Sequence, residues 1–586
     1  MGTKRIKKTY VPNLTLKLLF FLLLSLSLSL LLLRLFSSVL LLNTPQDHIK
    51  CLQLQDDHPK ILLISPPIVN YNPNQSPPSP PPPPPPPPPQ LMLLVHEVLL
   101  KEKAEKTKIG LINFSERERE AWDQLGETSL ISFDRVKEEV RWEDLFPEWI
   151  NEERWPLPRC PEIPMPAFEK YGELDMVVSK VPCGSIEEIK KGVRDVVRLQ
   201  VNLVVANLVV RNGRRRDEGG GDRPVYVVFI GSCEPMWEIF RCDDLLRHEG
   251  DLWIYKPELK KLKEKVEMPV GTCRLAIPYV KQGDGRIRYE FSKLRNLIDQ
   301  PREAYGTILH SSEAYVCGAI ALAQSIILTK STKDLVLLAD KSITKKSKQA
   351  LTAAGWKIKL IERIQNPYAE KDAYNEWNYS KLRMWQLTEY DKVIFIDSDL
   401  IVLKNMDNFF ANSQLSAIGN DNILFNSGVM LIEPSQCMFE MLMKKRHTMV
   451  SYNGGDQGFL NEAFTWWHRW PKTLNYLKIF DQGNETEREI PKSVFAIHYL
   501  GLKPWMCYRD YDCNWDVLDH HVYGSDLAHK RWWQVYDAIP KRLRGFCGLS
   551  RFMDSSLRVQ RAWAKNAKLP DGHWKIKVRD PRQHHR

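Results

Sequence analysis

Lys392-Val-Ile-Phe-Ile-Asp-Ser-Asp-Leu400 decides the fold. Its apolar, largely β-branched and aromatic run reads as a buried strand, and two carboxylates one residue apart end it. At a strand end, Asp397 and Asp399 both reach one divalent cation. Mg2+ or Mn2+ takes such oxygen ligands and bridges them to phosphates. Asp-Ser-Asp also closes ordinary strands, so the surrounding sequence has to decide. Working outward, Tyr305–Leu309, Leu335–Leu338 and Ile358–Ile361 read as strands. Tyr315–Ile327, Ser347–Ala354 (closed by Gly355) and Ser380–Leu387 read as helices. Strands alternating with helices predict an α/β domain with a mostly parallel, Rossmann-like sheet. Ligands of such sheets bind at the carboxyl ends of the strands.

Three further segments follow in order. Asn426-Ser-Gly-Val-Met-Leu-Ile-Glu-Pro-Ser435 reads as a short strand preceded by polar residues. Gly454-Gly-Asp-Gln-Gly458 is a tight turn holding Asp456 and Gln457, and Asp456 would also serve as an ordinary helix cap. His498-Tyr-Leu-Gly-Leu-Lys-Pro-Trp505 couples an imidazole suited to a metal with Gly501, which admits close backbone approach, and Lys503, a point charge for a phosphate. A single histidine is more often structural than a ligand, but four such segments in this order point to one site.

Taken together, Asp397-Ser398-Asp399, Asn426-Ser-Gly428, Gly455-Asp-Gln457, His498-x-x-Gly501-x-Lys503-Pro-Trp505 and Asn378-Tyr-Ser-Lys-Leu382 resemble glycosyltransferase family 8, the glycogenin-like retaining enzymes, over residues 305–505. The resemblance implies a GT-A fold and a UDP-sugar donor with Mn2+. It implies that Asp397, Asp399 and His498 hold the metal, and that Lys381 and Lys503 meet the donor phosphates. His310, Ser311 and Tyr315 would border the nucleotide, with Ser398 and Gly501 lining the same donor site. Asp456 and Gln457 would sit beside the transferred sugar and Asn426 near sugar or acceptor, these three being the catalytic candidates. Asn378 opens a glycosylation sequon but is a poor glycan site there. With Pro182-Cys-Gly184 and Gly271-Thr-Cys273 added, the chain is similar to the plant proteins that substitute xylan with glucuronic acid. That likeness implies transfer from UDP-glucuronate to O2 of backbone xylose in the Golgi, for cell-wall synthesis. A family 8 enzyme with another donor (glucose, galactose or galacturonate), or a silent lumenal scaffold, is the alternative.

The amino-terminal part of the 586 residues reads as an anchor and a stalk for a large body. Leu18 to Leu42 is a 25-residue apolar run, interrupted by serines and Arg34, and about 20 apolar residues span a bilayer. Lys4, Arg5, Lys7, Lys8 and Lys17 precede it, which predicts a single-pass type II anchor with the body in the lumen. Pro80 to Pro89 are ten consecutive prolines, a polyproline II spacer of roughly 30 Å. The division expected is a cytoplasmic tail (1–17), anchor (18–42), Pro-rich stalk (43–103), amino-terminal α/β lobe (104–300), catalytic domain (301–545) and basic tail (546–586).

Within the lobe, Ala104–Asn151 reads as charged and helical. Ser185–Arg198 reads as a helix, and Leu203–Val210 and Val225–Ile230 as buried strands. Net charge is +11, yet residues 541–586 carry 13 Lys and Arg against three Asp. The excess therefore reads as a solvated tail rather than a nucleic-acid-binding face. Eleven cysteines form no CxxC pair and no zinc spacing. Asn113-Phe-Ser115 and Asn484-Glu-Thr486 are sequons. Trp466, Trp467, Trp470, Trp505, Trp532 and Trp533 crowd the carboxyl half, as core or as stacking surfaces for sugar rings.

Overall fold

The computed structural model describes residues 107–152, 159–182, 194–213, 223–276, 301–420, 423–480, 488–569 and 572–580, with 95, 97 and 582. The expected anchor, nearly all of the stalk, and the sequon at Asn484 lie outside them. Among the described residues no helix is long and apolar enough to cross a membrane.

Two α/β sheets follow one another along the chain. The first takes β1 (Lys108–Ile112), β2 (Glu127–Leu130), β3 (Met176–Lys180), β4 (Tyr226–Ile230), β5 (Leu245–Glu249) and β6 (Leu252–Tyr255) in the order β2-β1-β3-β4-β6-β5. Its first four strands in that order are parallel. Two expectations fail in this lobe. Residues 104–151 are not one helix: β1 and β2 lie there, with a helix at Glu116–Trp122 between them. The strands are too short for their alternation to stand out against the charged residues around them. Leu203–Val210 is not a strand either, but part of a helix at Val196–Asn212. Periodicity cannot separate the two in a continuous Val/Leu run buried on nearly every side. Asp195 starts this helix by accepting from the amides of Val197 and Arg198. Of the helix expected at 185–198, only residues 196–198 belong to it, and 185–193 lie outside the described residues.

The second sheet is built from β7 (Glu303–Leu309), β8 (Asp334–Ala339), β9 (Lys357–Leu360), β10 (Lys392–Ile396), β12 (Ser416–Asn420), β13 (Ile423–Ile432) and β14 (His468–Trp470), in the order β14-β12-β13-β10-β7-β8-β9. β10, β7, β8 and β9 run parallel, while β13 is antiparallel to both β10 and β12. Ser380–Leu387 is a 3-10 segment (Asn378–Gln386) rather than an α-helix. A small third sheet joins β11 (Leu400–Val402), β16 (Ala496–His498) and β15 (Tyr476–Leu477). The helix Val316–Leu328 packs against β11 so closely that a Cβ on Gly318 would lie 2.3 Å from the carbonyl of Ser398. Only glycine allows that approach.

The lobes meet through buried charge. Lys392 Nζ donates to Glu264 and to the carbonyl of Asn412, both at 2.8 Å, and Glu433 faces Lys265 at 3.8 Å and Arg241 at 3.9 Å. A disulfide, Cys242–Cys437, crosses the same junction, and Cys160–Cys273, Cys317–Cys547 and Cys507–Cys513 are also formed. The basic carboxyl terminus is not the solvated tail its composition suggests. Arg551–Ala567 is a helix that buries Leu557 and Ala564, seven residues apart, and Arg582 is buried, donating to the carbonyls of Trp505 and Cys547. Charge averaged over the segment hides that one apolar stripe.

Candidate active site

One ligand atom from each of Asp397, Asp399 and His498 lies within 4.8 Å of the others. Backbone pairing brings them there. β10 ends at Ile396, so Asp397 leaves its carboxyl end, where the amide of Asp397 donates to the carbonyl of Gly428 at 2.8 Å. The register of β11 on β16 sets Leu400 opposite His498, and the amide of Tyr499 donates to the carbonyl of Asp399 at 3.1 Å. Carboxylates and imidazole thus arrive from segments a hundred residues apart.

A chain of hydrogen bonds fixes which imidazole nitrogen faces the carboxylates. The amide of Gly428 donates to Asn426 Oδ1 (2.8 Å), so that atom is an acceptor. Asn475 Nδ2 donates to the same oxygen (2.8 Å), which turns Asn475 Oδ1 to His498 Nδ1 at 3.0 Å. Nδ1 must then carry the proton, and Nε2 presents its lone pair to Asp399 Oδ1 at 3.2 Å. That oxygen is buried and takes no hydrogen bond among the described residues. Two lone-pair atoms facing each other repel unless a cation lies between them. The residues therefore fit a divalent metal, and two carboxylates with one imidazole suit Mn2+ or a similar ion.

Two lysines flank the cluster. Lys503 Nζ is 2.7 Å from Asp399 Oδ2 and donates to the carbonyl of Tyr499 at 2.6 Å. Gly501 (φ +68°) makes the turn that returns the chain for this contact. Lys381 Nζ lies 2.6 Å from Asp456 and 3.4 Å from Asp397, and donates to Ser427 Oγ at 3.2 Å. Burial works to lower both ammonium pKa values, but Asp399 for Lys503, and Asp397 with Asp456 for Lys381, outweigh it and hold them raised. Burial raises Asp397, and the neighbouring Asp399 adds to it. In Asp399 the effect of burial is overcome chiefly by Lys503, and its carboxyl is held well below the usual range.

Asp456 opens the helix Asp456–Ala463 without capping it: its carboxylate accepts from Ser427 Oγ (3.1 Å) and meets Lys381. Gln457 Oε1 accepts from the amide of Ser427 (3.1 Å), which turns its Nε2 to Tyr452 Oη at 3.0 Å. On the far side, His310 Nδ1 lies 2.9 Å from Ser311 Oγ. Burial lowers the His310 pKa, against the charges of Asp340 and Asp456 and with help from Lys381. The Tyr315 ring meets Trp505 edge-on at 5.8 Å, and Trp505 Nε1 donates to the carbonyl of Ala314.

Every residue expected at the site is thus brought to the carboxyl ends of β7 and β10, to the start of β13, or to the loop after β16. Ser398 contributes its backbone, at the close approach to Gly318. Asn426 does not stand free in the cleft; its amide oxygen is spent on Gly428 and Asn475. Sequence reasoning missed Asn475, Ser427 and Tyr452. Ser427 lay inside a quoted motif, but Asn475 and Tyr452 sit in stretches with no motif. The six tryptophans are all buried, none more than 4% exposed, and so belong to the core.

A mixed sheet of this order, with an Asp-x-Asp pair at the end of a central strand facing an imidazole and two lysines, defines a glycosyltransferase of the GT-A type. The family models narrow this: the GUX1-5 N-terminal domain matches residues 91–273 and glycosyl transferase family 8 matches residues 307–507. UDP-glucuronate:xylan alpha-glucuronosyltransferase 2 of Arabidopsis thaliana is 50% identical over 83% of this chain and 82% of its own length. UDP-glucuronate:xylan alpha-glucuronosyltransferase 1 of the same plant is 44% identical over 82% and 73%. Among solved structures, the galactosyltransferase LgtC with donor and acceptor sugar analogs is 16% identical over 41% of this chain and 99% of that one, with a TM-score of 0.30, too low to bear on substrate. The chain belongs to the UDP-glucuronate:xylan alpha-glucuronosyltransferase family within glycosyl transferase family 8 and is a glycosyltransferase.

Proposed function

We propose that the protein transfers glucuronic acid from UDP-glucuronate to O2 of xylose in the xylan backbone, with retention and with Mn2+, as a single-pass type II enzyme of the Golgi membrane. The observation that carries this is the 50% identity to a relative named for that reaction, running through both lobes. The Asp397–Asp399–His498 group supports the metal. Four disulfides among the described residues and the apolar run at 18–42 support a lumenal body.

Asp397, Asp399 and His498 would hold Mn2+, which when bound supplies Lewis-acid charge to the diphosphate oxygens. Lys381 and Lys503 carry fixed positive charge to the same place and stabilise UDP as it departs. They cost little reorganisation, because Asp456 and Asp399 already position them. Asp456 Oδ2 accepts from Ser427 Oγ and pairs with Lys381, the arrangement of a counter-ion. The acceptor O2 therefore bonds to C1 on the face that UDP leaves, its proton passing to the departing phosphate oxygen. His310 and Tyr315 line the nucleotide side.

The full chain, solubilised in detergent, is incubated with Mn2+, xylohexaose and one of UDP-glucuronate, UDP-glucose, UDP-galactose or UDP-galacturonate, and product masses are read. The expected result is a glucuronosyl adduct with UDP-glucuronate alone, lost on chelation and restored by Mn2+. An adduct with another donor sinks the assignment. In the same assay Asp456→Asn is expected to cost roughly 10- to 100-fold in kcat, as for loss of a positioning charge; complete loss, with a trapped glycosyl-enzyme in other variants, would restore the nucleophile.

A further inference from the structure

Burial of the carboxyl-half tryptophans leaves the question of what an extended polysaccharide rests on. A large aromatic exposed close to the site comes from the other lobe. Trp149 is 59% exposed. It is not on a loose end. Arg469 on β14 donates to the carbonyls of Pro147 and Glu148, and Glu152 accepts from the amide of Lys472 at 3.0 and 2.9 Å. The residues on both sides of Trp149 are thereby pinned to the edge strand of the catalytic sheet. In that sheet Trp470 of β14 pairs with Ile418 of β12, and Ile418 pairs with Asn426 of β13. The strand holding Trp149 is thus two strand spacings, roughly 10 Å, from the strand that carries Asn426.

Tyr452 is an exposed ring beside the catalytic helix. It is 45% exposed and its hydroxyl accepts from Gln457 at the catalytic helix. Loss of solvent pushes its phenol up to about 12, against the Gln457 hydrogen bond and with the charges of Asp456, Glu462 and Glu148 adding. Gln457 and Tyr452 thus stand on the catalytic side, and Glu148 and Trp149 at the edge strand to which Arg469 holds them. A β-linked xylose ribbon presents apolar C–H faces, which stack on rings, and hydroxyls, which donate to a carboxylate. An exposed indole and an exposed phenol suit the C–H faces of a sugar chain.

We infer that Trp149, supplied by the amino-terminal lobe, is an acceptor subsite that holds a xylose residue of the xylan backbone remote from the one being substituted. The inference rests on the xylan reading above. It gives that lobe a function in acceptor length selection.

The test is steady-state kinetics of the full chain with UDP-glucuronate and either xylotriose or xylohexaose. Trp149→Ala is expected to raise KM for xylohexaose roughly 5- to 10-fold, the scale of one lost aromatic stack, and to leave KM for xylotriose and the slow hydrolysis of UDP-glucuronate unchanged. Trp149→Phe, which keeps a ring, should recover most of the affinity. Retention on immobilised unsubstituted xylan should fall in Trp149→Ala and return in Trp149→Phe. Wild-type activity with an unchanged xylohexaose KM in Trp149→Ala overturns the inference and leaves the functional reading intact. An equal rise for both acceptors also overturns it, as a general rather than a subsite effect. A wild-type chain that substitutes neither acceptor overturns both.

Discussion

The two large sheets of this molecule are built alike, and only one ends in chemistry. Each has parallel strands whose carboxyl ends open on the same edge. At the ends of β1 and β3 in the amino-terminal lobe, the charged groups are paired, and Ser179 Oγ, buried without a hydrogen bond among the described residues, is a neutral hydroxyl. Asn113 donates to the carbonyl of Lys180 at 2.8 Å and accepts from Arg135. Lys180 pairs with Glu118, which also completes a capping box with Ser115. At the ends of β10 and β16, Asp399 and His498 turn lone pairs toward each other, and Asp399 Oδ1 is left without a hydrogen bond among the described residues. A parallel sheet provides an edge; what makes it a site is unpaired ligating capacity held by the fold.

The sharpest way to break this comparison is at Asp399. Asp399→Ala should lower kcat by about 10^3-fold or more, since it removes a metal ligand and frees Lys503 from its partner. Binding of Mn2+, followed by its paramagnetic resonance signal, should fall with it. Activity within a few-fold of wild type would mean that the orphaned oxygen is not the site.

The junction between the sheets comes next. Glu433 accepts from the amide of Gln414 at 3.0 Å and is ringed by Lys265, Lys392 and Arg241. Burial alone would raise its carboxyl; the three cations outweigh it and push it down to about 2, from an ordinary 4.5. A depressed folded pKa gives stability that is present above 4.5 and lost as pH falls toward 2. Thermal midpoints should therefore fall steeply across that window in the wild type and less so in Glu433→Gln. At neutral pH, Glu433→Ala should cost about 3–5 kcal/mol, because buried cations lose their partner. An unchanged melt would make the lobes independent units, tied by the Cys242–Cys437 bridge rather than by charge.

A smaller effect, on affinity rather than fold, belongs to Asn475. Removing its amide in Asn475→Ala frees His498 to turn or to change tautomer, and should weaken Mn2+ binding roughly 10- to 100-fold with little change in melting temperature. Isothermal titration with Mn2+ reads this directly. Equal affinity in the variant would show that the imidazole is held by packing alone.

Asn475 also marks where the sequence stops being legible. The strand Lys392–Ile396 and the carboxylates after it are plain, because a fully buried strand and a metal pair leave a dense local signature. So are the parallel strands before it and the helix closed by Gly355. What depends on pairing between distant segments is not plain. Nothing in Thr473-Leu474-Asn475 announces that it will meet His498, and nothing in Pro147-Glu148-Trp149 announces its dock on Arg469. Leu203–Val210 shows a different limit: a segment buried on all sides has no polar face to reveal its period, so helix and strand look the same. In the carboxyl terminus the charge is evident and the stripe of Leu557 and Ala564 is not, because two buried positions among 17 scarcely alter the composition.

The smallest expected effect is the one that most sharpens the contrast between the sheets. Glu118→Gln makes at the lobe edge the same carboxylate-to-amide change that Asp397→Asn makes at the catalytic edge. Glutamine at this position still closes the capping box with Ser115, so the substitution isolates the Lys180 pair, whose side chains are 31% and 10% exposed. A partly exposed pair contributes at most about 1 kcal/mol. Transfer activity should stay within roughly 2-fold of wild type, as for changes away from a site, whereas Asp397→Asn removes a metal ligand. Should Glu118→Gln lower transfer as Asp397→Asn does, with the melting temperature preserved, the edge of the amino-terminal sheet would have to be acting on substrate. Pairing of its charged groups would then no longer separate a structural edge from a catalytic one.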